Sequence, residues 1–251
     1  MPAERSVLVT GVGRAVGIGA AIAALLADDG WTVATAGHVG YDAKMVWGAD
    51  ADGPPQPGVV HFEADLAHAT APPALIADAA AAIGPLTGLV MCHCESVDSS
   101  ILTTTVESFD LHFAVNARAT WQLIKAFAEQ FPTDRGGSAA AGPGGRIVAI
   151  TSDHTPFNLP YGSSKAALDR IVIAAATELA ELGLTANVIN PGGTDTGWMT
   201  PDIVDACLDR NLQPRVGLPA DCANLVRFLC SPEGQWINAQ LLYSDGGLRH
   251  Q

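Results

Sequence analysis

SVLVTGVGRAVGIGAAIAALLADDG, residues 6–30, decides the fold. It opens on an apolar, β-branched run, SVLVT (6–10), crosses a glycine-rich turn, TGVGRAVGIG (10–19), and continues with helical periodicity to a stop at Gly30. An unbroken apolar run of this length is a strand buried on both faces, as parallel sheets contain. A glycine-rich turn between such a strand and a helix lets backbone approach a pyrophosphate, which then rests at the helix N-terminus. Gly11, Gly13, Gly17, Ile18 and Gly19 form that turn. The spacing departs from G-x-G-x-x-G, because the third position falls on Val16, so a tight turn that needs glycine for packing alone is the competing reading.

Outward from this unit, strand and helix alternate to the end of the chain. Strand patterns recur at WTVATAG (31–37), GVVHFEADL (58–66), LTGLVMC (86–92), RIVAITS (146–152), LTANVINPGG (184–193) and NAQLLYSDGG (238–247). Helical patterns cover 72–84, 106–131, 161–183 and 219–230. Such alternation predicts an α/β fold, a doubly wound parallel sheet in three α/β/α layers. Residues 38–57 and 132–145 are rich in Pro and Gly and read as irregular segments, the second as a flexible surface loop. Periodic elements resume directly after each, so a single domain over 1–251 is expected.

The chain has 251 residues, enough for a sizeable core, and a formal charge of −13. That acidity argues against nucleic acid and anionic membrane surfaces, both of which require a basic face. No apolar run is long enough to span a bilayer, and MPAERSVLVTG lacks the apolar core of a signal peptide, so a cytoplasmic protein is expected. The five cysteines (Cys92, Cys94, Cys207, Cys222 and Cys230) are an odd number and read as free thiols. Cys92-His93-Cys94 has no second ligand cluster to complete a metal site, and none is assigned.

The chemistry concentrates in YGSSK (161–165). Four residues on a helix bring Tyr161 and Lys165 to one face. An ordinary phenol titrates near about 10, and an adjacent ammonium favours its phenolate, so the pair suits proton transfer to or from a carbonyl oxygen.

TG…GIG in the first turn, YGSSK on a later helix and NPGGTDT (190–196) after the next strand together resemble the short-chain dehydrogenase/reductase superfamily, over essentially the whole chain. The family's turn is T-G-x-x-x-G-x-G, whereas here two further residues lie between Gly11 and Gly17. The resemblance implies a Rossmann-like fold and a catalytic set of Asn116, Ser152, Tyr161 and Lys165. In it Ser152, at the end of the fifth strand, bonds the substrate oxygen, and Asn116, in VNARAT, holds a water that feeds protons to the lysine. Ser152 stands nine residues before Tyr161, closer than is usual in the family. His154 in the connecting loop reads as a surface residue. Pro191 and Gly192 would wall the nicotinamide, and Thr194 and Thr196 would offer hydroxyls to its carboxamide or to the phosphates. Asp65 and Leu66 match the adenine-contacting pair, although Asp65 reads equally as a cap.

Two departures stand out. Where the family has N-N-A-G, this chain has VMCHCES (90–96), with Met91 and Cys92 in place of the asparagines, so at Cys92 only backbone is left to line the cofactor. The strand 31–37 ends in ATAGHVG without the acidic residue that holds the ribose of NAD. Arg14 and His38 can face a 2′-phosphate there, which favours NADPH over NAD unless Arg14 simply points into solvent. The expectation is an NADPH-dependent ketoreductase, resembling 3-oxoacyl reductases, acting on a small carbonyl or alcohol substrate. The family's range includes acyl thioesters, polyketides, sugars and steroids. A dehydrogenase working mainly in the oxidative direction, and a non-catalytic nucleotide-binding sensor on the same fold, are the alternatives. Residues 197–217, with Trp198 and Met199, are expected to form a substrate lid with an apolar wall. By analogy, helices 106–131 and 161–182 pair across two-fold axes in a homotetramer or dimer.

Overall fold

All five residues of SVLVT are buried in the first strand, β1 (Ser6–Thr10). The computed structural model describes residues 5–50, 59–131 and 144–248. After β1 come α1 (Ile18–Asp28), β2 (Thr32–Gly37), a single turn α2 (Val39–Asp42), β3 (Val60–Glu63), α3 (Ala71–Ile83) and β4 (Gly88–Met91). Next are α4 (Val106–His112), a π-helical turn (Phe113–Arg118), α5 (Ala119–Ala128), β5 (Arg146–Ile150) and α6 (Leu159–Glu178). The chain ends through β6 (Thr185–Asn190), α7 (Pro201–Leu208), α8 (Pro219–Cys230) and β7 (Leu241–Tyr243).

Seven parallel strands lie in the order β3-β2-β1-β4-β5-β6-β7. Side chains of a strand alternate between faces, and β1 feeds two cores accordingly. Val7 and Val9 pack with Ile22 and Leu26 of α1 and Val226 and Leu229 of α8. Leu8 packs with Leu75 of α3, Leu123 and Phe127 of α5, and Leu168 and Val172 of α6. Each such fully buried side chain contributes about 1.5–3 kcal/mol, which offsets the entropy of ordering the chain.

Strand order reverses at β1, which lies between β2 and β4. The crevice beyond the carboxyl ends of β1 and β4 is where open α/β sheets take ligands. The glycine-rich turn, Cys92–Ser96, Ser152 and Pro191–Gly192 all open from carboxyl ends of strands at this edge.

Some expected boundaries move. The strand read at 58–66 is shorter: β3 is an edge strand paired only to β2, and it ends where the Asp65 carboxylate accepts the Ala67 N–H at 2.9 Å. The helix read from Tyr161 starts two residues earlier, because Pro160 serves in its first turn, where the missing N–H costs nothing. The helix read as continuous over 106–131 is interrupted by the π turn. Within the segment 38–57, Val39–Asp42 is helical, and residues 51–58 lie outside the described residues; so does most of the surface loop expected at 132–145. Among the described residues no helix is long and apolar enough to cross a membrane.

Candidate active site

Lys165 is a long cationic side chain with 2 % of its surface exposed. Burying an ammonium costs several kcal/mol unless its donors are satisfied. Its Nζ donates to the Ile150 carbonyl at 2.9 Å and reaches the His93 carbonyl at 3.4 Å. Those carbonyls leave the ends of β5 and β4, so two strands of the sheet aim the amine. Burial lowers its pKa below the ordinary lysine value. The Nζ lies 5.9 Å from the centre of the Tyr161 ring, one helical turn away, so the two side chains share one cleft. The Ser152 hydroxyl beside Tyr161 favours the phenolate, but burial outweighs this and raises the phenol above its ordinary range. The dominant influence on the phenol is therefore desolvation, and not the neighbouring ammonium the sequence suggested. The nine-residue spacing still lets Ser152 reach Tyr161. His154 is exposed, and its N–H caps the Ser152 hydroxyl at 3.2 Å.

Asn116 sits fully buried in the π turn. Such turns are local insertions in an α-helix and are frequent at functional sites. Its Oδ1 accepts the Glu95 N–H at 2.8 Å, and its Nδ2 donates to the Glu95 carbonyl at 2.9 Å and to Ser164 Oγ at 2.8 Å. The side chain thus imitates a neighbouring strand: it extends the pairing of the β4 exit and ties it to α6 one residue before Lys165. Its carbonyl accepts the Thr120 hydroxyl at 2.8 Å. We expect Asn116→Ala to destabilise the chain by about 3 kcal/mol, since three buried groups lose a partner. Urea unfolding of the two proteins checks this.

The β4 exit presses on the first turn. Gly11 has φ +73°, and a Cβ there would overlap the Cys92 carbonyl carbon and the His93 nitrogen. Only glycine allows this approach. Gly19, at the start of α1, is packed likewise: its Cβ would stand 2.7 Å from the Gly11 carbonyl. Gly17 precedes α1 and donates to the Arg14 carbonyl at 3.1 Å, and Ile18 begins the helix. Cys92 is half-buried, with its thiol raised by burial. The side-chain bond that the missing asparagines cannot make comes from a residue sequence reading passed over. His93 Nδ1 meets Thr10 Oγ1 at 2.7 Å, deep in the structure, and burial depresses the imidazole to about 3. A neutral imidazole thus fastens the end of β1 to the end of β4. Its only sequence signal was the Cys-His-Cys triplet, to which no role was assigned.

On the adenosine side, Arg14 and His38 both meet carboxylates. Arg14 lies 3.7 Å from Asp42 and 4.7 Å above the Trp47 ring, and His38 Nδ1 lies 2.9 Å from Glu63. Asp42, one turn beyond the end of β2 and inside α2, is an acidic residue that the sequence reading did not weigh. A Cβ on Gly13 would overlap its Oδ2. Asp65 acts as a turn cap and also faces His68 at 3.5 Å. Leu66 is buried in the core beneath it. The turn fits an anionic cofactor by one direct observation: one of its backbone donors already holds a carboxylate. Asp50 Oδ2 accepts the Ala15 N–H at 2.7 Å, so carboxylate oxygens here stand in for phosphate oxygens.

Beyond β6, Gly192 takes φ +61° against Asp245, and its N–H donates to Asn190 Oδ1 at 3.0 Å. Pro191 is buried, and its carbonyl accepts the Thr194 hydroxyl at 3.0 Å, which leaves Thr194 able only to accept from a ligand. Thr196 is half-buried at the start of the expected lid. That segment contains α7, capped by Thr200, and is pinned at its far end by the Thr194–Gly217 bridge. Trp198 is exposed, and Met199 lies near Gly193 beside Cys207.

Comparisons with known proteins identify the family. The profile of the family described as Enoyl-(Acyl carrier protein) reductase matches residues 11–249. The uncharacterized oxidoreductase YjdA of Bacillus subtilis (strain 168) is 35% identical over 156 residues, covering 61% of this chain and 60% of that relative. The short-chain dehydrogenase/reductase ARMGADRAFT_1018421 of Armillaria gallica is 31% identical over 262 residues, covering 97% and 95%. Among solved structures, a blue fluorescent protein from a metagenomic library in complex with NADPH is 27% identical and superposes with a TM-score of 0.78, covering 98% of both chains. Sheet order, the glycine-rich turn and these matches over nearly the full length have one reading: the chain belongs to the short-chain dehydrogenase/reductase superfamily of NAD(P)-dependent oxidoreductases.

Proposed function

We propose that the chain is an NADPH-dependent carbonyl reductase, acting on a ketone or aldehyde of a small molecule. The observation that carries this reading is the buried amine of Lys165, held by Ile150 and His93 at 5.9 Å from the centre of the Tyr161 ring, with the Ser152 hydroxyl beside the phenol. Bound nicotinamide supplies the hydride. Tyr161 gives its hydroxyl proton to the substrate oxygen, and Ser152 holds that oxygen in line. Lys165 places positive charge beside the phenolate that remains and holds the cofactor's ribose. Asn116 acts one step back, since its side chain bonds the Glu95 backbone and Ser164 rather than Lys165. Positioning and electrostatics are the protein's part of the reaction.

A phenol kept protonated by burial suits the reductive direction at neutral pH. NADPH is favoured by the NADPH complex of the similar structure and by Arg14 in the turn. Gly11, Gly13, Gly17, Ile18 and Gly19 would receive the pyrophosphate, with Cys92, Pro191, Gly192, Thr194 and Thr196 along the nicotinamide half. We expect the purified chain to oxidise NADPH in the presence of at least one member of a panel of ketones and aldehydes, read at the nicotinamide absorbance. NADH as the clearly better cofactor would reverse the cofactor assignment. Binding of NADPH with no turnover across the panel would support a sensor instead.

A further inference from the structure

Asp169 follows Lys165 on α6 by four residues, as Lys165 follows Tyr161, so the three side chains form one stripe on the helix. Asp169 Oδ1 is buried and has no hydrogen-bond partner among the described residues. Burial raises its pKa, against the Thr151 hydroxyl, Lys165 and Arg170, which favour the carboxylate, and together with the like charge of Asp153. A cavity of about 170 Å³ is shared by α6 and the ends of β5, β6 and β7, and Asp169 lines it with Thr151, Ser152, Asp153, Asn190 and Tyr243. Asp153 is exposed, so the cavity opens to solvent. Its volume admits several waters, and its lining supplies the polar partners they need. Ser152 therefore borders two spaces, since its hydroxyl stands beside the Tyr161 phenol and the residue also lines the cavity.

On the reductase reading above, on which this inference rests, each turnover leaves Tyr161 as a phenolate that must regain a proton. Asn116 is poorly placed to supply it: its side chain is held by Glu95 and Ser164, and its carbonyl by the Thr120 hydroxyl. We propose that Asp169 returns that proton, through water in the cavity and the Ser152 hydroxyl. Ser152 gives its proton to the phenolate and takes one from water. The water takes one from the Asp169 carboxyl, and solvent at the cavity's opening refills the carboxylate. A carboxyl raised toward neutral pH exchanges its proton readily there. Asp169 acts through Ser152, so it positions a proton rather than reacting with substrate.

The test compares the full chain with Asp169→Asn and Asp169→Ala in steady-state reduction of a ketone by NADPH. Asparagine keeps the shape and loses the exchangeable proton, and alanine also makes room for a small acid. Both variants are expected to lower kcat about 10-fold, less than a general acid that touches substrate, because water in the cavity still carries some protons. KM and the Kd for NADPH should stay within about 2-fold of wild type. Proton return becomes the slow step, so the solvent deuterium isotope effect on kcat should rise. Acetate buffer should recover most of the lost rate in Asp169→Ala, which a merely structural role would not allow. Asp169→Asn carries the isotope measurement if Asp169→Ala folds poorly. Unchanged kcat in Asp169→Asn, or a loss with neither a larger isotope effect nor recovery by acetate, overturns the proposal and leaves the reductase reading intact. A wild type that reduces no carbonyl overturns both.

Discussion

Tyr161→Phe should lower kcat for carbonyl reduction about 10³-fold, within the range that a positioned general acid contributes, while the Kd for NADPH stays within about 2-fold of wild type. The substitution removes one oxygen from a ring that α6 continues to hold. Ser152, half-buried, can turn its hydroxyl to water, so folding stability should change little. Steady-state kinetics with a reactive ketone, paired with cofactor titration, separate the two effects. A variant with near-normal turnover removes Tyr161 from the chemistry. The wild-type pH profile supplies a second reading. Burial raises the Tyr161 phenol, so it stays protonated through neutral pH and reduction should be level there. Alcohol oxidation needs the phenolate, and its rate should climb with pH without a plateau below about 10.

Lys165→Met should be equally damaging to turnover, with a loss of about 10²–10³-fold, and nearly silent in stability. The native ammonium is buried, and two carbonyls compensate only part of its desolvation. An unbranched apolar side chain of similar length removes that cost and leaves the Ile150 and His93 carbonyls short of a donor. The two effects roughly cancel, so a change within about 1 kcal/mol is expected. A merely structural lysine would give the reverse pattern, with lost stability and retained kcat. Thermal unfolding and kinetics on the same preparation distinguish them. Lys165→Arg is expected to restore little, because the planar guanidinium cannot enter the place of a compact amine between two strand ends.

The sheet was legible because buried parallel strands announce themselves. SVLVT, LTGLVMC and RIVAITS each contain an unbroken apolar run, VLV, LVMC and IVAI, and each lies in the middle of the sheet. The edge was less legible. VHFE alternates weakly, and only its pairing to β2 defines where it stops. At the site, spacing singled out Tyr161 and Lys165 and the family resemblance singled out Ser152, and the structure sets the Lys165 amine 5.9 Å from the Tyr161 ring centre with Ser152 beside the phenol. What spacing could not supply was environment. Nothing in YGSSK says that burial would set the phenol's pKa. Nothing in VMCHCES says that the histidine would turn inward to Thr10. Asp42 escaped because a one-turn helix in a Pro/Gly-rich stretch has no periodicity to read, and that turn brings its carboxylate back over Gly13.

The π turn at Phe113–Arg118 carries a consequence for how this stretch can vary. It adds one residue to the helical repeat, which shifts the angular phase of everything after it by about 100°. Asn116 faces Glu95 on one side of that shift, and Leu123 and Phe127 face the core on the other. Deleting one residue between them would restore regular winding and, in the same stroke, rotate either the asparagine off the β4 exit or the leucine and phenylalanine out toward water. Homologous sequences in this stretch should therefore tolerate exchanges of residue type far more readily than a change in length.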